Sequence, residues 1–198
     1  MEEERQVRPM RADAERTARA ILEAAESVLS ANPAATMEQI AAAAGVARTT
    51  VHRRFSSREA LIEAMTAWAT QQFHDAVTSA RPQTAPPLVA LYQVTANVLR
   101  VKIGWGFAMN AVKPEDSEAA RVHANVHDQC DSLFRRLHHT GALRPDTNLA
   151  WARRTYYALI HEAAQTQPTD VQDVDELATL VVDTLLTGVG RQPLNPKI

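Results

Sequence analysis

Apolar side chains recur at spacings of three and four residues along most of this chain of 198 residues. That period is typical of an α-helix with one buried face. The first clear run follows Asp13 and contains Ala18, Ile21, Leu22, Ala25, Val28 and Leu29. Similar runs predict a series of further helices, of which the longer ones span about 57–79, 88–102, 117–140, 147–166 and 171–186. Abundant alanine and only six glycines favour the same conclusion, an all-α fold.

One stretch, residues 36–58, places two short amphipathic segments around a glycine. Thr36 with Gln39 three residues later is a capping box, a pattern that begins a helix. Gly45 suits the left-handed backbone of a tight turn after that helix. The segment beyond the turn has no acidic side chain and carries four positive ones: Arg48, Arg53, Arg54 and Arg58. A short basic helix after a glycine turn is typical of proteins that place a helix in the DNA major groove.

The apolar residues of this stretch predict how the basic helix is held. Val46, Val51 and Phe55 are spaced to face inward, which leaves the arginines on the outer side. Ser56 with Glu59 is a second capping box and predicts the start of the next helix.

The positive charge of this stretch is local. The net charge of the chain is −2, and residues 1–60 hold nine arginines against nine acidic residues. A protein that coats nucleic acid without specificity is usually basic throughout. The charge distribution therefore favours a small, sequence-specific footprint on double-stranded DNA.

Composition also bears on the compartment. Cys130 is the only cysteine, which excludes an intramolecular disulfide and fits a reducing compartment. No apolar segment follows Glu2 to Glu4 in the manner of a signal peptide. The most apolar stretch, 177–189, is too short to span a bilayer. We expect a cytoplasmic protein without membrane contact.

Residues 21–62 resemble the TetR family of bacterial transcription regulators, through ILEAAESVL and TMEQIAAAAGVARTTVHRRFSSREALI. Residues 141–146, GALRPD, resemble the link before the penultimate helix of that family. The resemblance implies an N-terminal three-helix helix-turn-helix DNA-binding domain and a C-terminal helical effector-binding and dimerisation domain. We therefore expect a flexible N-terminal arm at 1–12, the DNA-binding domain at 13–56 and the effector-binding and dimerisation domain at 57–198.

The family pattern assigns seven candidate DNA contacts: Thr36, Arg48, Thr49, Thr50, His52, Arg53 and Arg58. Thr36 and Arg58 match phosphate-contacting positions, and Arg48 matches one that reaches a phosphate or a guanine edge. The two threonines after Arg48 match positions that touch base edges. His52 stands where Tyr is common, and Arg53 where His is frequent. Ala47 replaces the usual capping Ser, so these departures leave the operator sequence undetermined.

The family also implies a pocket for a small-molecule effector in the second domain. The candidates are aromatic, Met and His side chains: Trp68, Phe73, Tyr92, Trp105, Met109, His123, His127, Phe134 and Tyr156, with Phe107 and Tyr157 beside them. Trp105 lies between Gly104 and Gly106, where the backbone is free to adjust. A lining of this kind implies an apolar or aromatic effector.

Two alternatives to that pocket remain open. His123, His127 and Cys130 lie at i, i+4 and i+7, a spacing that suits a zinc or copper sensor. The same helical stripe contains Val126 and Leu133, however, and a buried inert thiol fits it equally well. An enzyme is the second alternative, although no phosphate loop, nucleophile elbow or paired carboxylate is apparent. We expect neither a metal nor a cofactor.

Each of the last two predicted helices has an apolar face, and that of the final helix is wide. In the final helix, Leu180, Val182 and Leu186 lie off the main apolar stripe. A helix that is apolar over such an arc usually has two partners, and two such hairpins form a four-helix bundle across a two-fold axis. The sequence thus predicts a homodimeric repressor that leaves an inverted-repeat operator when a small molecule binds.

Overall fold

The structure, a computed structural model, describes residues 3–113, 117–165 and 173–189. Within these ranges the backbone forms nine helices and no strand, which confirms the predicted all-α fold. The helices are α1 Glu3–Ala31, α2 Met37–Ala43, α3 Arg48–Arg54, α4 Arg58–Ser79, α5 Pro87–Gly104, α6 Gly106–Ala111, α7 Ser117–His139, α8 Leu149–Gln165 and α9 Val174–Val189. None of the described helices combines the length and the apolar character needed to cross a membrane.

Helix α1 begins at Glu3, earlier than the start at Asp13 that the apolar pattern predicts. Residues 3–12, expected to belong to an arm, are therefore helical backbone. Glu, Arg, Gln and Met dominate this segment and are good helix formers even where they build no apolar face. Pro9 removes one backbone hydrogen bond but does not end the helix.

The described residues divide into two compact units. The first consists of residues up to 69 together with 105–113, and the second of residues 70–104 and those from 114 onward. The division falls inside α4, whereas the sequence placed the domain boundary at 56. The first half of α4 buries Leu61 and Met65 in one hydrophobic cluster, and the second half buries Ala76 and Val77 in another. Sequence periodicity predicts this helix but does not show that its two halves pack into two different hydrophobic cores.

The core of the first unit holds the short helix α3 in place. Its fully buried members come from five helices: Ile21, Ala25 and Leu29 of α1, Ile40 of α2, Val51 of α3, Leu61, Met65 and Ala69 of α4, and Ala108 of α6. Val46 and Phe55 pack against this cluster from either end of α3, as predicted. The basic helix is thus anchored by apolar residues on one side.

Helix α2 begins and ends as the sequence predicts. The Thr36 hydroxyl accepts a hydrogen bond from the Gln39 backbone N–H at 3.3 Å, and the Gln39 side chain accepts one from the Thr36 N–H at 2.8 Å. At the other end Gly45 adopts a φ of 65°. The Val46 N–H then reaches the Ala41 carbonyl at 3.0 Å and closes the helix end.

The predicted cap of α4 is wrong by one residue. The helix begins at Arg58, so Ser57 rather than Ser56 is its cap, and the Ser57 hydroxyl accepts a hydrogen bond from the Ala60 N–H at 3.1 Å. Ser56 has Glu59 at the spacing of a capping box, whereas Ser57 has Ala60 there. The capping-box pattern therefore selected the wrong one of two consecutive serines.

A buried carboxylate fastens α6 to α1 within the first unit. Glu26 is 5% exposed, and its two oxygens accept hydrogen bonds from the backbone N–H groups of Phe107 (2.7 Å) and Ala108 (3.0 Å). Ser30 donates a third hydrogen bond to the same carboxylate. These amides lie at the first turn of α6, where N–H groups have no partner within the helix.

The second unit contains α5, α7, α8, α9 and the second half of α4 around one core. Its largest fully buried side chains include Leu91 and Leu99 of α5, Phe134 of α7 and Tyr156 of α8. The Tyr156 hydroxyl lies 2.9 Å from the buried Thr95 hydroxyl, so a polar group inside this core has a partner. Helix α7 stops before Gly141, which adopts a φ of 74°, in agreement with the predicted stop.

Thr36→Ala is expected to lower the free energy of unfolding by about 0.5–2 kcal/mol, because it removes the capping hydroxyl of α2. Thr49→Ala is the matched control, since Thr49 is exposed in α3 and does not cap a helix. Chemical denaturation followed by circular dichroism measures both variants. Equal losses in the two would contradict a stabilising role for the capping box.

Glu26→Gln is expected to lower the free energy of unfolding by about 1–3 kcal/mol. The amide keeps one acceptor oxygen but turns an NH₂ group toward a backbone N–H of α6. Glu23→Gln makes the same chemical change at an exposed residue paired with Arg19, and surface pairs contribute little. If both variants unfold alike, the buried hydrogen bonds of Glu26 do not stabilise the unit.

Candidate nucleic-acid interface and effector cavity

Helix α3 presents polar and positive side chains to solvent. Arg48, Thr49, His52 and Arg53 are exposed, and Thr50 is half-buried. Arg54, which follows them, is exposed as well. The one buried residue of the helix is Val51. Five of the seven predicted DNA contacts therefore lie on this helix, and four of them are fully accessible.

Arg48 is not free, because it is held by two neighbours. Its guanidinium forms an ion pair with Glu38 of α2 at 2.7 Å and donates a hydrogen bond to the His52 ring at 3.3 Å. The pKa of Glu38 lies below its usual value, first because of a backbone hydrogen bond, then the Thr36 hydroxyl, and to a smaller extent Arg48. Exposed ion pairs contribute little stability, so DNA can displace this one at small cost.

Sequence reasoning did not identify Glu38 as part of the site. It is the only acidic residue between Glu26 and Glu59, which is the signal that points to it. A lone carboxylate next to a basic helix either orients an arginine or repels a phosphate. The ion pair with Arg48 assigns it the first of these roles in the absence of DNA.

The other two predicted DNA contacts hold the start of α2. The Thr36 hydroxyl is engaged in the capping box. The half-buried Arg58 guanidinium donates hydrogen bonds to the backbone carbonyls of Ala35, at 3.1 Å, and Pro33. Arg58 thus links the start of α4 to the segment before α2. Its remaining N–H groups are available to an additional acceptor.

The second unit contains a cavity of about 400 Å³, which is within the range of small-molecule sites. Helices α4, α5, α7 and α8 line it with aromatic, aliphatic, histidine and lysine side chains: Phe73, Val77, Val94, Val98, Lys102, His123, Val126, His127, Cys130, Tyr156, Tyr157, Ile160 and His161. Four of the nine predicted effector residues are among them: Phe73, His123, His127 and Tyr156.

The other five predicted effector residues lie elsewhere. Trp68, Trp105 and Met109 pack against the core of the first unit, with the two indole rings 6.5 Å apart. The Tyr92 hydroxyl donates a hydrogen bond to Asp183 at 2.6 Å. Phe134 is buried behind Tyr156, with ring centroids 5.5 Å apart. Residue type alone does not distinguish an aromatic ring that lines a cavity from one that fills a core.

Lys102 is a charged cavity residue that the sequence did not predict, as it also did not predict the aliphatic lining: Val77, Val94, Val98, Val126 and Ile160. It lies in the last turn of α5, where a lysine is an ordinary partner of the helix end. The signal is its spacing, because Val94, Val98 and Lys102 recur every four residues on one face of α5. Burial lowers the pKa of the Lys102 ammonium.

Burial also acts on a thiol and a hydroxyl at the cavity wall. It raises the pKa of the Cys130 thiol and of the Tyr157 hydroxyl. The Tyr157 hydroxyl is close enough to the Cys130 thiol to affect its pKa. The buried Tyr157 hydroxyl nevertheless has no hydrogen-bond partner of normal geometry. A thiol kept protonated in this way is a poor nucleophile, so the enzyme alternative has no support here.

The metal alternative has no support either. His123 and His127 are exposed at the cavity and Cys130 is buried. Each histidine contacts an aromatic ring, His123 the ring of Phe73 and His127 the ring of Tyr157. Across the described parts of the chain, no three His, Cys, Asp or Glu side chains converge as a metal site.

Comparison with known protein sequences identifies a matching family and a similar repressor. Residues 21–65 match the family described as "Bacterial regulatory proteins, tetR family". The HTH-type transcriptional repressor LfrR of Mycolicibacterium smegmatis is 33% identical over 179 residues, which cover 87% of this chain and 92% of LfrR.

Solved structures agree with the fold. The TetR family regulator PfmR from Thermus thermophilus superposes with a TM-score of 0.71 at 20% identity, over 86% of this chain and 99% of PfmR. LfrR from Mycobacterium smegmatis, crystallised in complex with proflavine, gives 0.61 at 27% identity, over 90% and 99% of the two chains. The first unit carries the family motif, and the relative at 33% identity spans both units. The chain is therefore a member of the TetR family and a DNA-binding transcriptional regulator.

Proposed function

We propose that the protein is a homodimeric repressor that leaves an inverted-repeat operator when a small apolar or aromatic molecule occupies the cavity of the second unit. The observation that carries the proposal is the two-sided character of α3, with Val51 buried and Arg48, Thr49, His52 and Arg53 in solvent. The similarity to the repressor LfrR, a structure of which contains proflavine, supports repression and an aromatic effector.

The side chains of α3 suit both parts of DNA recognition. Arginines contact phosphates and guanine edges, and threonine hydroxyls and methyl groups contact base edges in the major groove. Thr36 and Arg58 then act by fixing the start of α2, the helix that precedes α3 in the chain. The chromosome lies in the bacterial cytoplasm, where we place the protein.

Dimerisation through the last two helices accounts for apolar side chains left in solvent. Leu180 of α9 is 58% exposed and Trp151 of α8 is 62% exposed. Apolar side chains that form a contiguous exposed patch mark interaction surfaces, and we place the dimer interface over these two residues. A two-fold dimer brings two α3 helices to successive major grooves about 34–36 Å apart, so the operator is an inverted repeat.

Effector binding and DNA binding are then coupled. If the effector weakens operator affinity by some factor, the operator weakens effector affinity by the same factor. Helix α4 is the simplest carrier, because it contains Arg58 at the candidate DNA interface and Phe73 at the cavity. A rotation of this one helix changes the position of both residues.

Selection of duplexes from a randomised pool at near-physiological salt is expected to enrich an inverted repeat. Arg48→Ala is expected to weaken binding to that repeat by about 1–3 kcal/mol, roughly 5- to 150-fold. Relaxed preference at one base pair would make Arg48 a base contact, and a uniform loss would make it a phosphate contact.

Arg121→Ala is the matched control for this assay, because Arg121 also forms an exposed ion pair, with Glu118, but lies in the second unit. It is expected to leave operator affinity unchanged. Binding without an enriched sequence, or no binding by refolded protein, would contradict a specific operator regulator.

The effector role is tested with an uncharged aromatic probe, 2-naphthalenemethanol, added to the complex with the selected operator. We expect release of the labelled operator, measured by fluorescence anisotropy. Val98→Phe fills part of the cavity and is expected to abolish the release, because Val98 lines it. Val89→Phe, at an exposed position of the same helix, is the control. Release that is unaffected by Val98→Phe would contradict the proposed effector site.

A further inference from the structure

The cavity of the second unit has an unbalanced set of charged and ionisable side chains. Lys102, His123, His127 and His161 line it, and no described Asp or Glu does. The imbalance is unusual for this protein, since the whole chain has three lysines and a net charge of −2. The lining of this cavity therefore places a lysine among hydrogen-bonding histidines without a described acidic side chain to balance it.

Lys102 forms no ion pair with any described carboxylate. Asp131, whose charge acts on Cys130 and Tyr157 in the cavity wall, is held by Arg153 and Arg135 instead. The long stem of a lysine often lets its ammonium reach water, and the half-burial of Lys102 is compatible with that arrangement. The Lys102 side chain nevertheless lines the cavity together with Val94 and Val98, so a ligand bound there would contact it.

The rest of the lining is apolar and aromatic. Phe73 meets the edge of the His123 ring at a centroid distance of 5.6 Å, and Tyr157 lies 6.3 Å from His127. Aromatic faces bind a flat apolar body, and imidazole N–H groups donate hydrogen bonds. The buried Tyr157 hydroxyl, which lacks a partner in the structure, adds a further polar group to the wall.

We propose that this cavity selects an amphipathic organic anion, an aromatic or alicyclic body with one carboxylate, which pairs with Lys102 beside the cavity histidines. The inference rests on the proposed effector role of the same cavity and adds the chemical class of its ligand. Binding of a cation of the same shape is disfavoured, because the described cavity lining contains an unpaired lysine and no acidic side chain. A neutral molecule uses the aromatic walls but leaves the lysine without a counter-ion.

Three probes that share one ring system separate these cases: 2-naphthoate, 2-naphthalenemethanol and 2-naphthylmethylammonium. Their dissociation constants for the full-length protein are measured by isothermal titration calorimetry at neutral pH. We expect the carboxylate to bind most tightly, the alcohol less tightly and the ammonium most weakly. Equal or tighter binding of the ammonium would overturn the proposal.

Lys102→Met removes the charge and keeps an unbranched apolar side chain in the cavity wall. It is expected to weaken 2-naphthoate binding roughly 10- to 100-fold, the loss of a charged hydrogen bond. Binding of the alcohol is expected to stay within about threefold, which also shows that the variant is folded. Lys113→Met is the matched control, because Lys113 is exposed in the first unit and absent from the cavity.

The outcomes distinguish the class of ligand from the effector role itself. If the alcohol releases the operator but Lys102→Met weakens the carboxylate and the alcohol equally, the cavity is an effector site without anion selectivity and the inference is wrong. If none of the three probes binds, the proposed effector cavity fails and the inference fails with it. A loss specific to the carboxylate in Lys102→Met, absent from Lys113→Met, supports the inference.

Discussion

The structure of the first unit depends on burying one side of a helix that is too short to be stable alone. Helix α3 has seven residues, and isolated helices of that length do not persist in water. Its stability comes from Val51, with Val46 and Phe55 packed at its ends. Because the exposed arginines of α3 contribute nothing to this core, the apolar contacts must hold the helix while its charged face stays in solvent.

The surrounding contacts can be understood as supports for that short helix. The capping box fixes the start of α2, and the left-handed Gly45 sets the turn toward α3. Arg58 uses its guanidinium on two backbone carbonyls of the preceding segment, and Glu26 satisfies the first amides of α6. Among these interactions, the hydrogen bonds of the buried Glu26 pair polar groups that would otherwise be left unsatisfied in the core. A regulator that reads DNA with a preformed surface needs this rigidity, since ordering the helix on binding would reduce affinity.

The polar groups of the second unit are of two kinds, those with a partner among the described residues and those without one. In the core, the Tyr156 hydroxyl is paired with the Thr95 hydroxyl, and outside the core the partly buried Arg153 forms an ion pair with Asp131. At the cavity, the Tyr157 hydroxyl lacks a normal partner and Lys102 has no described counter-ion. Groups of the first kind stabilise the fold whether or not a ligand is present. Groups of the second kind remain available to a ligand, and a few polar groups in an otherwise apolar cavity are what determine the specificity of a binding site.

Local sequence was sufficient to predict the series of helices apart from the start of α1, the cap and turn of α2 and the inward anchors of α3, because these depend on neighbours within a few residues along the chain. It was also sufficient to show which face of α3 is basic. Packing in three dimensions decided that Arg48 pairs with Glu38 and that the two halves of α4 pack into two different cores. It also selected which aromatic residues line a cavity and brought Lys102 to its wall. These outcomes depend on side chains that are distant in sequence and meet only after packing, so local periodicity carries no information about them.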